Sequence, residues 1–222
     1  KHQNMEKECI IVLSGGMDST TLLYDYKDEI AIALTFDYGS NHNAREIECA
    51  RIHCERHGIE HIVIPLDFMH QYFHSSLLDG ADAIPEGHYA DDNMRSTVVP
   101  FRNGIMLAVA CGMAESRGLK KVLIANHSGD HAVYPDCRAA FIDAMSEAMQ
   151  AGTYDRISIL APYTGKDKTF IAARGAELGV DFSLTYSCYK GRERHCGRCG
   201  TCVERREAFR IAGIPDHTLY EE

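Results

Sequence analysis

The sequence predicts an α/β fold: an open, mainly parallel sheet with helices on both faces, followed by a small cysteine-built C-terminal unit. Three observations carry this. Short β-rich runs alternate with helix-period segments over most of the chain, a glycine-rich turn follows the first run directly, and Cys188, Cys196, Cys199 and Cys202 crowd a stretch near the end. Alternation of this kind needs crossover connections, and crossovers lay helices on the faces of a parallel sheet.

Strands are expected at 9–13, 29–36, 62–66, 122–125 and 157–160, each an apolar run rich in β-branched residues. The first helix includes 20–26. The second, 43–57, repeats Ile47, Ala50 and Cys54 at three-to-four spacing, which turns them toward the sheet, and Gly58 ends it. Further helices are expected over 103–117, 137–150 and 167–178, with Gly179 beyond the last. Between 67 and 96 the pattern weakens over a length unusual for a plain connection, and such stretches often serve as lids or binding loops. After Thr185 the composition turns to glycine, cysteine and arginine, so the chain divides into an α/β domain, 1–185, and a unit packed on it, 186–222. Residues 1–4, ahead of Met5, do not enter the fold reading.

With 45% apolar and 25% charged residues among 222, the composition is that of a globular domain. A formal charge of −9 repels a phosphate backbone, and no basic patch offsets it, so no direct nucleic-acid partner is expected. The longest apolar run, 105–114, is about half of what a spanning helix needs, which argues against a membrane. No charged leader precedes an apolar stretch with a small-residue cleavage site, so a cytoplasmic location is expected. In that reducing setting nine cysteines serve as ligands, nucleophiles or core residues rather than disulfides.

The turn after the first strand reads SGGMDST, residues 14–20. A strand, a glycine turn and a helix start bring backbone N–H groups and the positive end of a helix to one point, where an anion is favoured. Gly15 and Gly16 allow close approach of the main chain, and Ser14, Ser19 and Thr20 offer hydroxyl donors. Asp18 cannot donate to phosphate; it is read as a Mg²⁺ partner or as a residue shaping and capping the turn. The bland alternative is a tight turn opening a helix. The loop has neither the lysine of a Walker motif nor the G-x-G-x-x-G spacing of a dinucleotide fold.

Cys188, Cys196, Cys199 and Cys202 are spaced C-x₇-C-x₂-C-x₂-C among Gly191, Gly197 and Gly200. Four thiolates on glycine-rich turns suit one tetrahedral, structural Zn²⁺. An iron–sulfur cluster fits these knuckle-like turns less well, and His195 is the one substitute ligand nearby. His127 and His131 have a metal-like spacing, but a loop places two histidines so without any metal. Cys9, Cys49, Cys54, Cys111 and Cys137 fall at strand or helix positions where a buried, inert thiol is the default. Lys166 opens a helix in P-Y-T-G-K-D-K and is read as a phosphate contact, with a solvated lysine as the alternative.

The loop SGGMDS resembles the PP-loop of the ATP pyrophosphatases, and the fold this implies is adenine nucleotide alpha hydrolase-like, with ATP cleaved between the α and β phosphates. Leu13, Ser14, Gly15, Gly16, Met17, Asp18, Ser19 and Thr20 then hold the nucleotide. In order along the chain follow V-P-F-R-N-G at 99–104, Y-P-D-C-R at 134–138, S-C-Y-K-G at 187–191 and C-G-x-C-x-x-C at 196–202. This ordered set resembles the 7-cyano-7-deazaguanine synthase family over nearly the whole chain. The resemblance implies a ligase that converts 7-carboxy-7-deazaguanine, ammonia and ATP to the nitrile through an adenylated carboxylate and an adenylated amide, on the route to queuosine and archaeosine. It implies ATP with Mg²⁺, one structural Zn²⁺ and a homodimer. Substrate contacts are expected from Arg102, Asn103, Asp130, Tyr134, Asp136 and Arg138, with Asp130 or Asp136 facing the guanine-like N–H edge. Asp18, Ser19, Arg102 and Lys166 form the expected catalytic set. Two departures stand out: Ser40 and Asn41 where many relatives have glutamine and arginine, so that a basic contact at position 41 is missing, and Tyr186 ahead of the serine–cysteine pair. Transfer of the adenylated deazaguanine to a protein amine, another PP-loop activity and a nucleotide-binding regulatory module remain the alternatives.

Overall fold

The computed structural model describes residues 7–88 and 92–221. Five strands, β1 (Cys9–Val12), β2 (Ile30–Asp37), β3 (Glu60–Pro65), β4 (Lys121–Leu123) and β5 (Ser158–Leu160), form one sheet in the order β3-β2-β1-β4-β5. Every pairing is parallel. The chain begins in the middle, winds outward through β2 to β3, and returns to the other side of β1 for β4 and β5. The winding direction reverses between β1 and β4, and at such a switch point the connections leave in opposite directions and open a crevice at the carboxyl ends of the strands.

Among the described residues seven α-helices accompany the sheet: α1 (Met17–Tyr26), α2 (Asn43–His57), α3 (Asp67–Tyr72), α4 (Arg102–Ser116), α5 (Ala139–Gly152), α6 (Lys168–Glu177) and α7 (Gly200–Ala212). Strand side chains alternate between faces. Ile10, Leu34, Phe36 and Val122 pack with α4 and α5, while Ile11, Leu13, Ala33 and Leu123 pack with α1, α2, α6 and α7. The sandwich is therefore α/β/α. The apolar stretch before and within α4 is broken at Pro100 and Phe101, and Leu107, Ala110 and Ala114 are fully buried against the sheet.

Every expected strand is present, with no end shifted by more than two residues, and α2 has the bounds its periodicity gave. On α2 the buried face holds Ala50, His53 and Cys54, whereas Ile47 is only half-buried. The fifth helix starts two residues late because Pro135–Cys137 forms a separate 3₁₀ turn. Two helices were not anticipated. α3 occupies the start of the weak stretch, and α7 follows the cysteine turns, its charged run Glu204–Arg205–Arg206–Glu207 masking a buried stripe of Thr201, Cys202, Arg205, Ala208 and Phe209. The described part of 67–96 is embedded: Met69, Leu77, Leu78 and Ile84 belong to the main core, and Glu86 bridges to Cys199. The four clustered cysteines share that core with Ile10 and Leu34.

Candidate active site

Beyond β1 the chain enters the phosphate-type loop. Gly15 has φ +93°, and a Cβ there would lie 2.1 Å from the Glu46 carbonyl oxygen, so this glycine is required by the seating of the loop on α2. From the opposite side the Tyr186 N–H donates to the Gly15 carbonyl at 3.1 Å. The Ser14 and Ser19 hydroxyls lie 3.0 Å apart, and Ser14 Oγ accepts from Gly16 N–H at 3.1 Å. Gly16 is the N-cap of α1 and supplies no side-chain cap, so the first N–H groups of the helix stay open to an anion. Leu13, Ser14, Gly16, Met17, Asp18 and Ser19 line the cleft at the switch point. Gly15 and Thr20 do not: Gly15 backs onto α2, and Thr20 is fully buried. Asp18 caps nothing.

Beside the loop stands a buried ionic cluster. Lys168 Nζ is 3.0 Å from Asp18 Oδ2 and 3.0 Å from Glu204 Oε2, and His127 Nε2 is 3.6 Å from Asp18 and 3.4 Å from Asp130. Burial alone would raise the Asp18 pKa, but Lys168 and His127 outweigh it and hold the carboxyl well below its usual range. Burial opposes charge on His127, yet Asp130 and Asp18 push its pKa up to about 9. Gly129 N–H lies 3.2 Å from its Nδ1, a contact that only the neutral ring accepts, and in that form the proton sits on Nε2, facing the two carboxylates. Lys168, at the first position of α6, lines the cleft beside the loop, and Lys166 does not. Asp167 caps α6 and turns Lys168 inward, leaving Lys166 exposed with its ammonium over the Phe170 ring. Asp18 Oδ1 is buried and accepts no hydrogen bond, which fits a cation held between this carboxylate and nucleotide phosphates.

The deeper half of the cleft is built around Arg102. Phe101 adopts a left-handed conformation (φ 52°), its ring lies over Gly104, and the turn aims Arg102 at the cleft from the start of α4. Arg102 donates to Tyr38 Oη at 3.0 Å, and Thr97, Tyr134 and Tyr189 are linked by hydroxyl contacts of 2.7 and 2.9 Å. Burial would lower the Arg102 pKa; Tyr38, Tyr189, Tyr134 and Asp136 outweigh it, and the guanidinium stays charged. Asn103, Asp130 and Tyr134 line the cleft with it. Asp136 does not: it accepts from the Asn103 N–H at 2.8 Å and so satisfies the start of α4. Arg138 is exposed and donates to the His131 carbonyl outside the cleft, because it precedes α5 on the solvent side. Cys137 lines the cleft as a neutral thiol, its pKa pushed far up by burial. His131 turns to a separate shallow cavity with Asp143 and Thr164, so the two histidines do not converge.

Cys188, Cys196, Cys199 and Cys202 are buried with their sulfurs within 4.8 Å of one another. Cys196 N–H donates to Cys188 Sγ, and the N–H groups of Arg198 and Cys199 donate to Cys196 Sγ, at 3.3 to 3.5 Å. Four converging sulfurs stabilised by N–H donors fit a tetrahedral zinc ion. His195 is not among them; its Nε2 accepts from Ser187 N–H at 3.0 Å. The tetrad is tied to the cleft through α7. Arg205, fully buried, donates to Thr218, Thr185 and Ser187 hydroxyls and to the Phe182 carbonyl, clamping the segment that carries Tyr186.

The family described as queuosine biosynthesis protein QueC matches residues 8–213. The chain belongs to the QueC family. Curated proteins named 7-cyano-7-deazaguanine synthase are similar to it over nearly their full lengths. That of Porphyromonas gingivalis strain W83 is 63% identical over 216 residues, 97% of this chain and 98% of the relative. That of Desulfotalea psychrophila is 51% identical over 96% of this chain and 98% of its own, and that of Methanoregula boonei 45% over 96% and 99%. Among solved structures, NMN synthetase from Francisella tularensis matches with a TM-score of 0.51 and 14% identity, over 95% of this chain and 79% of that one, a likeness of fold. Against this background the two departures from the QueC pattern differ in place. Asn41 points away from the cleft, bonding the Ser76 carbonyl and Gly80 N–H. Tyr186 lines the cleft, and its hydroxyl donates to the Arg192 carbonyl at 2.7 Å.

Proposed function

We propose that this QueC-family chain is a 7-cyano-7-deazaguanine synthase, an ATP-dependent ligase acting on 7-carboxy-7-deazaguanine and ammonia. The observation that carries the reading is a single cleft that joins the SGGMDS loop and Lys168 at one end to a buried, charged Arg102 among tyrosines at the other. A carboxylate substrate paired with Arg102 can thus lie against the phosphates of ATP.

In the first half-reaction a substrate carboxylate oxygen attacks the α phosphorus, and the bond to the β phosphate breaks to release pyrophosphate. Ammonia then adds to the acyl carbon, AMP leaves, and a proton passes to a second ammonia, giving the amide. The amide oxygen attacks the α phosphorus of another ATP and displaces a second pyrophosphate, and loss of AMP and the two remaining N–H protons yields the nitrile. In this reading the open N–H groups of α1 and the Ser14 and Ser19 hydroxyls hold the phosphates, and Lys168 neutralises the charge of departing pyrophosphate. Arg102 orients the carboxylate by a planar fork. Bound Mg²⁺, held by Asp18 Oδ1 with Asp130 beside it, would supply further charge neutralisation. The tetrathiolate zinc is structural, because four protein ligands leave no open position, and 186–222 forms the unit it organises. The same proposal has the enzyme in the cytoplasm as a homodimer, supported for the compartment by nine cysteines, none of them in a disulfide, and for the dimer by the family resemblance.

The test is mass spectrometry of the product from 7-carboxy-7-deazaguanine, ATP, Mg²⁺ and ammonium, with pyrophosphate assayed in parallel. The nitrile with two pyrophosphates per turnover is expected. Pyrophosphate-free mixtures with unchanged carboxylate would refute the assignment.

A further inference from the structure

We infer that Glu46 reads the N–H edge of the substrate's purine-like ring and sets specificity for a 2-amino-6-oxo ring system; this rests on the function proposed above. Glu46 lies in the first turn of α2, and its side chain lines the same cleft as Arg102 and Tyr38. Among the described residues no protein group donates a hydrogen bond to it. His42 Nε2 stands 3.6 Å away, beyond hydrogen-bond reach, and burial keeps that imidazole neutral, although the Glu46 side chain is only 13% exposed. Burial pushes its pKa up to about 8 against the pull of Arg102. A buried carboxylate without donors is costly, and a ligand that brings N–H groups removes that cost.

The other carboxylates near the cleft are engaged. Asp136 holds the start of α4, Asp130 faces His127, and Asp18 and Glu204 share Lys168. Among the described residues Glu46, by contrast, takes no hydrogen bond from the protein and faces only a neutral imidazole.

The chemistry of the ring matches this placement. In 7-carboxy-7-deazaguanine the N1–H and 2-amino donors sit side by side, next to the 6-oxo group, which in turn neighbours the 7-carboxylate. A carboxylate on the two donors and a guanidinium on the oxygens are then neighbours, as Glu46 and Arg102 are in the cleft. Adenine presents an acceptor at N1, and a carboxylate held ionised by Arg102 and the ring's N–H groups has no proton to offer it, which keeps the two nucleobase-like ligands in their own halves. The carbonyl of Glu46 is in contact with Gly15, which fixes this reader relative to the phosphate loop.

The experiment compares 7-carboxy-7-deazaguanine with its 2-deamino analogue, a 7-carboxy-7-deazahypoxanthine, in pyrophosphate release by the wild type and by Glu46→Gln. Loss of one hydrogen bond to a charged group corresponds to about 30-fold in kcat/KM. The wild type should prefer the 2-amino compound by that order. E46Q should lose most of the preference while its KM for ATP stays within about twofold of wild type. Equal use of both compounds by the wild type overturns the inference without any variant, and an undiminished preference in E46Q overturns it as well. Failure of the wild type to turn over either compound refutes the proposed function itself, and the inference with it.

Discussion

Lys168 Nζ lies 3.0 Å from Oδ2 of Asp18 and at the same distance from Oε2 of Glu204, so one buried ammonium joins the phosphate loop to the C-terminal helix. Nucleotide phosphates arriving at the start of α1 would compete with these carboxylates for it. Lys168→Met should therefore lower kcat/KM for ATP by about 10² to 10³, the scale of losing one charged stabiliser of the leaving group. Lys166→Ala should stay within about twofold of wild type. A pyrophosphate-release assay of both variants checks the assignment, and the reverse order would return the role to Lys166.

The depressed pKa of Asp18 makes a pH-dependent contribution to stability. A carboxyl held below its unfolded value stabilises the fold above the ordinary carboxylate range, and that contribution is lost as pH falls through the folded value. Asp18→Asn should lower stability at pH 7 by on the order of 2 kcal/mol. The gap from wild type should narrow as the pH drops below about 4. Thermal melts from pH 3 to 7 measure it, and a gap that widens in acid would contradict the ion-pair account. At neutral pH the variant should release no pyrophosphate.

Removal of the clustered thiolates should act on the fold first. Cys199→Ser, or treatment with a strong chelator, is expected to abolish zinc binding and cost several kcal/mol of stability, because metal binding free energy is folding free energy. Zinc content by mass spectrometry and thermal melting report the two effects together. A metal-free variant that melts like wild type would exclude a structural tetrathiolate.

The two loop glycines should behave differently. Gly15→Ala places a Cβ 2.1 Å from the Glu46 carbonyl at a φ of +93° and should prevent stable folding of the loop. At Gly16 the nearest atoms to a Cβ are Ser14 Oγ at 3.3 Å and the Tyr186 carbonyl at 3.4 Å, so Gly16→Ala should fold and show mainly a raised KM for ATP. Circular dichroism melts and steady-state kinetics distinguish them.

Much of this architecture is legible in the sequence because strand runs and the α2 stripe are local signals. The bounds of α2 follow from Ala50 and Cys54 with Gly58 behind them, and Gly58 indeed ends the helix with a left-handed turn. The site residues that escape sequence reading are charged side chains on buried faces. Glu46 stands four residues before Ala50, on the stripe itself, and an acid at a core-facing position is the signal that could have marked it. Arg205 sits likewise on the α7 stripe, hidden within a charged run. Lys168 instead of Lys166 follows once Asp167 is recognised as the helix cap. Asp136 and Arg138, expected at the substrate, lie outside the cleft, where Asp136 holds the start of α4 and Arg138 the loop before α5, a placement that only tertiary contacts reveal.

The phosphate loop is supported from both ends of the chain: Gly15 rests on the Glu46 carbonyl, and its own carbonyl is held by the Tyr186 N–H within the segment that Arg205 clamps. During synthesis the N-terminal strands and helices can form early, but a nascent chain that has not yet delivered α7 lacks the second support. Competence for the proposed chemistry would then be acquired only once α7 has been delivered, and a chain halted before it would not turn over nucleotide.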